Sequence, residues 1–251
     1  MDAKGAGEAL TGKKPRRSKK APTTAEVFRR KRQRLQMNLP AWLRPKVNFL
    51  TAVENYDTFF RRIAEIFPET DPRYRLIERA YQTAKDEFGK RNIFRSDGTR
   101  YFEHLRAVAL ILIVYLRVRD AEMIAAALLH DLVEDLRPVW TVARVRREFG
   151  DRVAELVYWL TKPQFGKRFR TEAEVDRKYH RMLQDAPRDA VIIKLADRLH
   201  NLITLWKQRR ERMRAKISET RDFILPLAEK HLVLIHEIED VLGVAEKRYG
   251  F

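Results

Sequence analysis

From Trp42 onward, apolar residues recur three and four positions apart, as in Leu76, Ile77, Ala80, Tyr81 and Ala84, and no alternating run marks a strand. Proline and glycine gather in a few joints: Pro68 with Pro72, Gly89, Gly98, Pro138, Gly150, Pro163 with Gly166, and Pro187. The stretches between these joints read as helices, so the body is expected to be all-α. Ile124 to Leu129 is apolar almost all round, as a helix at the centre of a bundle must be, and one face of Ala190 to Leu205 reads the same way. No internal repeat is present. Hydrophobic residues make up 45% of the 251, enough for a sizeable core. The expected organisation is a tail over 1–24, a helical extension over 25–70 and a helical bundle over 71–251.

The charge is unevenly placed. Lys and Arg number 52 against 35 Asp and Glu, a net +17. Through Leu35 there are twelve basic and three acidic side chains, so +9 lies in that stretch and +8 in the remaining 216 residues. The segment 1–24 has almost no large apolar residues and is expected to be disordered. Its basic run from Lys13 to Lys20 could grip the phosphates of RNA or a ribosome, or simply be a solvated tail. Ala25 to Leu39 reads as a short basic helix before Pro40. With no cysteine there is no disulfide framework, thiolate metal site or cysteine nucleophile. The apolar run Val108 to Leu116 is too short to span a membrane, and no signal-peptide pattern opens the chain. These features suit a soluble, cytoplasmic protein.

Three separated clusters carry chemistry: Arg95 to His104, Leu128 to Asp135, and Lys194 to Thr204. In the second, a helix that has just run through alanines and leucines presents His130, Asp131, Glu134 and Asp135 within six residues. Several carboxylates at the edge of a core need a cation nearby. Four-residue spacing is expected to put His130 with Glu134, and Asp131 with Asp135, on shared sides of a helix. Asp197, Asn201 and Thr204 form a polar stripe on an otherwise apolar helix. Together His104, His130, Asp131 and Asp197 offer two imidazoles and two carboxylates. Mixed nitrogen and oxygen donors suit Mn²⁺, Fe²⁺, Co²⁺ or Zn²⁺ better than Ca²⁺. Such an ion lowers the pKa of bound water, which is the machinery of phosphoester hydrolysis.

The ordered pattern Arg95-x-x-Gly98-x-x-Tyr101-x-x-His104, His130-Asp131-x-x-Glu134-Asp135, and Leu195-Ala196-Asp197-Arg198-x-x-Asn201-x-x-Thr204 resembles the hydrolase domain of RelA/SpoT-type alarmone enzymes, within the HD-domain phosphohydrolases. Ser218-Glu219-Thr220 through Pro226-Leu227-Ala228 to Glu239-Asp240 is similar to that domain's closing helices. The resemblance implies an HD-domain helical bundle that removes the 3′-pyrophosphate of ppGpp and pppGpp, leaving GDP or GTP, usually with Mn²⁺. It implies metal ligation by His104, His130, Asp131 and Asp197. Glu134 and Asp135 would position or deprotonate the attacking water. Arg95, Tyr101, Asn201 and Thr204 would contact the nucleotide, with Lys178 and Arg181 near its phosphates. Leu105 stands where such enzymes commonly have proline, and Leu136 where they often have threonine. The 47 residues after Thr204 are too few for a synthetase domain, so a hydrolase-only member is expected.

HD scaffolds serve other phosphoesters, so a phosphatase acting on NADPH or a nucleoside phosphate is an alternative. So is a nucleic-acid or ribosome-binding module whose helical domain senses nucleotides. His180, His200, His231 and His236 read as surface or packing residues, with a minor pocket role open to His200. Arg198 is expected to pair with a carboxylate and hold Asp197 in place. Trp140, Trp159 and Trp206 read as core.

Overall fold

The computed structural model describes residues 26, 29, 33, 35–52, 54–96, 98–164, 171–206 and 208–251. The tail over 1–24, with its basic run, lies outside these residues, as does most of 25–34. The described chain is helical: α1 (Tyr56–Ala64), α2 (Pro72–Lys90), α3 (Tyr101–Leu110), α4 (Ala121–Leu129), α5 (Leu132–Asp135), α6 (Val142–Phe149), α7 (Asp151–Leu160), α8 (Glu172–Gln184), α9 (Arg188–Ile203), α10 (Arg210–Glu219), α11 (Leu225–His231) and α12 (Ile235–Tyr249). The all-α expectation holds. An isolated bridge between Phe94 and Arg100 is the nearest thing to a strand among the described residues.

Local signals start these helices. Asp71 caps α2 by accepting from the Arg73 N–H, and Pro72 follows at the first turn, where its missing N–H costs nothing. Asn55 with Thr58 and Thr171 with Glu174 close reciprocal capping boxes on α1 and α8. Asp120 caps α4 through the Glu122 and Met123 N–H groups. Between α6 and α7 the chain reverses at Gly150, whose φ of 93° is a conformation other residues adopt only with strain. A π-helical turn over Thr220–Ile224 precedes Pro226 in the first turn of α11, easing the chain past a residue without an N–H.

The centre of the bundle is α4, packed against α2, α3 and α7. Every side chain from Ile124 to Leu129 is fully buried, as its all-round apolar pattern requires. The α9 helix lies against α12, α7, α3 and α4, placing its polar stripe beside the end of α4. Residues Leu35, Leu39, Leu43, Val47, Phe49 and Leu50 belong to the same continuous core. They are pinned by Asn38 donating to the Ile203 carbonyl and Trp42 donating to Asp240. Leu105 and Leu136 are core residues, as is Trp140, while Trp159 and Trp206 pack partly buried against it.

Ile124→Ala should lower the free energy of unfolding by about 2–5 kcal/mol, read as a shift in denaturant midpoint with unchanged slope.

Candidate metal centre and substrate cleft

The first cluster begins in a tight turn. The Gly98 N–H donates to the Arg95 carbonyl and the Arg95 N–H to the Thr99 carbonyl, both at 2.9 Å. Gly98 has φ of 82°, which this turn needs and a side chain would strain. The turn delivers the chain into α3 with Tyr101 and His104 facing inward and Arg95 folded over the end of α9. Arg95 Nη2 donates to Asn201 Oδ1 and Thr204 Oγ1, each at 3.0 Å, so three expected nucleotide contacts form one unit.

The second cluster departs from the helical spacing. The α4 helix stops at Leu129, α5 starts at Leu132, and His130 and Asp131 occupy the bend, with Asp131 at φ −94° and ψ −3°. Successive residues of a straight helix point about 100° apart. The bend brings His130 Nε2 to 3.1 Å from Asp131 Oδ2 instead. Glu134 is anchored away from the imidazole, its Oε2 accepting from the Lys162 backbone N–H at 2.8 Å. Asp131 and Asp135 do converge, on the Tyr101 hydroxyl, which donates to Asp131 Oδ2 at 2.8 Å. That hydroxyl is held above a ring stacked on Phe88.

At the centre, His104 Nε2 lies 3.1 Å from Asp197 Oδ1 and 3.8 Å from Asp131 Oδ2, and His130 Nε2 lies 3.8 Å from Asp197 Oδ1. The donor atoms of His104, His130 and Asp197 all fall within 4.8 Å of one another, and the three residues are buried. Asp131 completes the ring of close contacts from its half-buried position. The second ring nitrogen of His130 fixes its tautomer. His130 Nδ1 donates to the Ala127 carbonyl at 2.8 Å, which turns the Nε2 lone pair inward. That Nε2 is buried with no hydrogen-bond partner. His104 Nδ1 meets His200 Nδ1 at 2.8 Å. Two imidazole nitrogens and the Asp197 carboxylate thus face one point at separations that ligands about 2.1 Å from a shared ion would have, with Asp131 beside them. The donor set fits a divalent cation.

The electrostatics agree. Burial opposes charge on His130, but Asp131 and then Asp197 outweigh it and push the imidazole up to about 9. Burial and the Arg95 charge push His104 down to about 4. Positive charge is thus favoured between the carboxylates, and a divalent ion could supply it in place of a proton. Asp197 sits well below the usual carboxylate range because Lys194 and the two histidines overcome its burial. Lys194 Nζ donates to Asp197 Oδ2 at 3.0 Å, and Asn201 Nδ2 to Oδ1 at 2.5 Å. Glu134 and Asp135 lie on the lip of the site, solvent-exposed yet walled by protein. Burial and the Asp131 charge raise both, Asp135 to about 6.

Beside the centre opens a cleft of about 1570 Å³ lined by Arg95, Tyr101, Glu134 and Asn201 and by residues of α10. Lys178 does not face it. Asp176 and His180, four apart on α8, line the cleft, whereas Lys178 lies about 200° around the helix and lines a separate cavity of about 500 Å³ with Arg137 and Tyr158. Arg181 bonds back to the Arg177 carbonyl of its own helix.

Sequence reading missed several contributors. His200 is no mere packing residue, since it steers His104. His180 has a carboxylate partner, Glu219 at 3.1 Å, and stacks on Phe223. Buried Arg198 does hold a carboxylate, that same Glu219 at 2.6 Å, locking α9 to α10 beside Asp197. Lys194 was legible as a cation one helical turn before Asp197.

A family model described as HD domain matches residues 80–233. Over 166 residues, 65% of this chain and 23% of the relative, the chain is 38% identical to a protein of Aquifex aeolicus named guanosine-3′,5′-bis(diphosphate) 3′-pyrophosphohydrolase. It is 37% identical over 183 residues to a GTP pyrophosphokinase of Streptomyces coelicolor, covering 70% of this chain and 20% of that one. The chain therefore spans less than a quarter of the length of these curated relatives. A solved structure reported as a metazoan ortholog of SpoT that hydrolyzes ppGpp superposes with a TM-score of 0.57 at 25% identity, over 70% of this chain and 96% of the other.

Two measurements check the centre and its support. Titration calorimetry of chelator-stripped protein with Mn²⁺ should show tight binding that His130→Ala removes, with the helical circular dichroism signal retained. Glu219→Gln should destabilise by about 2–3 kcal/mol at pH 7 by leaving Arg198 buried without its anion. Arg198 and His180 overcome burial and hold Glu219 well below the ordinary carboxylate range. Its contribution is therefore complete above the unfolded value near ~4.3 and lost as pH falls, so the gap between the two proteins should close in acid denaturation below about pH 4.

Proposed function

This chain belongs to the HD domain family, and from that premise we propose that it is a divalent-metal-dependent hydrolase of the 3′-pyrophosphate of guanosine alarmones, yielding GDP or GTP and pyrophosphate. The observation that carries this reading is the orphaned His130 Nε2, buried and aimed between Asp131 and Asp197, whose partners Tyr101 and Asn201 line a neighbouring cleft large enough for a nucleotide. The names of the relatives supply the substrate class.

A divalent cation, with Mn²⁺ the ion assigned here, would be held by His104, His130, Asp131 and Asp197, and would supply Lewis acidity and a water of lowered pKa. The chain's own groups do the rest. Glu134 is anchored through one oxygen by the Lys162 N–H, so its carboxylate is oriented to accept the proton of the attacking water. Asp135, raised to about 6, can carry a proton near neutral pH and deliver it to the departing ribose oxygen. The water oxygen attacks the phosphorus attached to O3′, and that phosphorus–oxygen bond breaks. The electron pair and one proton go to O3′, and pyrophosphate leaves. Tyr101 holds Asp131 and Asp135 in register. Arg95, fixed by Asn201 and Thr204, presents a planar cation to the nucleotide.

Manganese-loaded protein should release pyrophosphate from ppGpp, and Glu134→Gln or Asp135→Asn should lower kcat by about 10²–10⁴ with the metal still bound. Phosphate release from NADPH with ppGpp untouched would replace the substrate and keep the chemistry.

A further inference from the structure

The cavity of about 500 Å³ that Lys178 lines is separate from the substrate cleft and has the size of a small-molecule site, roughly 300–1,000 Å³. Its walls are mostly apolar: Val133, Pro138, Trp140, Val142, Tyr158 and Met182. Tyr158 is 48% exposed, and Val139, which lies between two lining residues, is 47% exposed. Two of the few exposed large apolar side chains among the described residues thus gather at this cavity. Trp140 is buried, and its ring is fixed: the indole N–H donates to Glu87 at 3.0 Å, and the Arg144 guanidinium lies 3.8 Å from the ring centroid.

The charge around this cavity is one-sided. Arg137, Lys162 and Lys178 line it, and among the described residues no aspartate or glutamate does. Lys162 is paired with Asp176. Arg137, half-buried, donates to carbonyls, Nε to Val133 at 2.9 Å and Nη2 to Lys162 at 3.2 Å, so no carboxylate among the described residues neutralises it. Lys178, half-buried on α8, has neither an ion pair nor a hydrogen bond among the described residues. Two cations without anions beside fixed aromatic and aliphatic walls suit a ligand with a planar apolar body and a negative head.

The same residues hold part of the site. Val133 directly precedes Glu134 on α5, and the Lys162 N–H that anchors Glu134 belongs to the residue whose carbonyl Arg137 engages. Arg137 therefore ties together the two segments that set the position of Glu134. An anion that draws its guanidinium into the cavity competes with both carbonyls.

We propose that this cavity is a second ligand site, for a small aromatic acid, in which Lys178 and Arg137 take the negative head and Tyr158 and Trp140 the ring. Occupancy acts on Glu134 through Arg137. That consequence rests on the hydrolase reading, whereas the binding does not.

The test uses two fluorescent probes with one apolar body and different charge, anilinonaphthalene sulfonate and its uncharged parent, phenylnaphthylamine. Titrated into the manganese-loaded full chain, the sulfonate should bind roughly tenfold more tightly than the parent compound. Lys178→Met should abolish that difference and Lys178→Arg should keep it. Tyr158→Ala should weaken both probes, and Arg212→Gln, in the substrate cleft, should change neither. Thermal melts of each variant verify the fold. Equal affinity for the two probes, or a preference for the sulfonate that depends on Arg212 and not on Lys178, overturns the site. With the sulfonate saturating, kcat for ppGpp should shift by at least about twofold in the unaltered protein and stay constant in Lys178→Met. An unchanged kcat in the unaltered protein overturns the link to Glu134. No turnover of ppGpp, with sulfonate binding still dependent on Lys178, removes the hydrolase and leaves the second site.

Discussion

Two imidazole lone pairs and two carboxylates aimed at one buried point repel one another unless something positive lies among them. Much of the surrounding structure answers that repulsion. The α4 helix is anchored by the full burial of Ile124 to Leu129, immediately before the bend at His130 and Asp131. Lys194 and Asn201 take up the oxygens of Asp197, the Ala127 carbonyl orients His130, and His200 does the same for His104. Each contact fixes a direction, so a cation would enter a site already shaped for it and little ordering entropy would remain to be lost.

The same centre grades outward from rigid to open. Arg198 and Glu219 tie α9 to α10 one residue along from Asp197, joining the helix that carries this carboxylate to the wall of the cleft. Glu134 and Asp135 stand one step further out, on a single turn of helix tied to the Lys162 backbone. Beyond them, Arg95 and α10 border the cleft. The candidate metal ligands sit on buried helices, and the cleft residues sit where side chains still reach solvent. An excess of basic charge on the body becomes intelligible there, since part of it faces the cleft without carboxylate partners.

Helical class, the centrality of Ile124 to Leu129 and the clusters that could carry chemistry are legible in the chain before it folds. Periodicity, proline and glycine punctuation, and misplaced polar residues are local properties that a single chain displays. It also made the Arg95, Asn201 and Thr204 grouping readable as a pattern, although their mutual hydrogen bonds appear only when two segments more than a hundred residues apart meet. Tertiary structure alone decided the rest. The break in the helix brings the neighbouring His130 and Asp131 side chains together, which helical spacing does not foresee because it assumes a helix that continues. Lys178 faces a neighbouring cavity because a two-residue offset on α8 rotates it to the opposite side, and only packing fixes which side the cleft occupies. His200 and Glu219 gained roles from partners on other helices. Which charges remain unpaired is likewise a property of three-dimensional neighbours, and no local pattern records it.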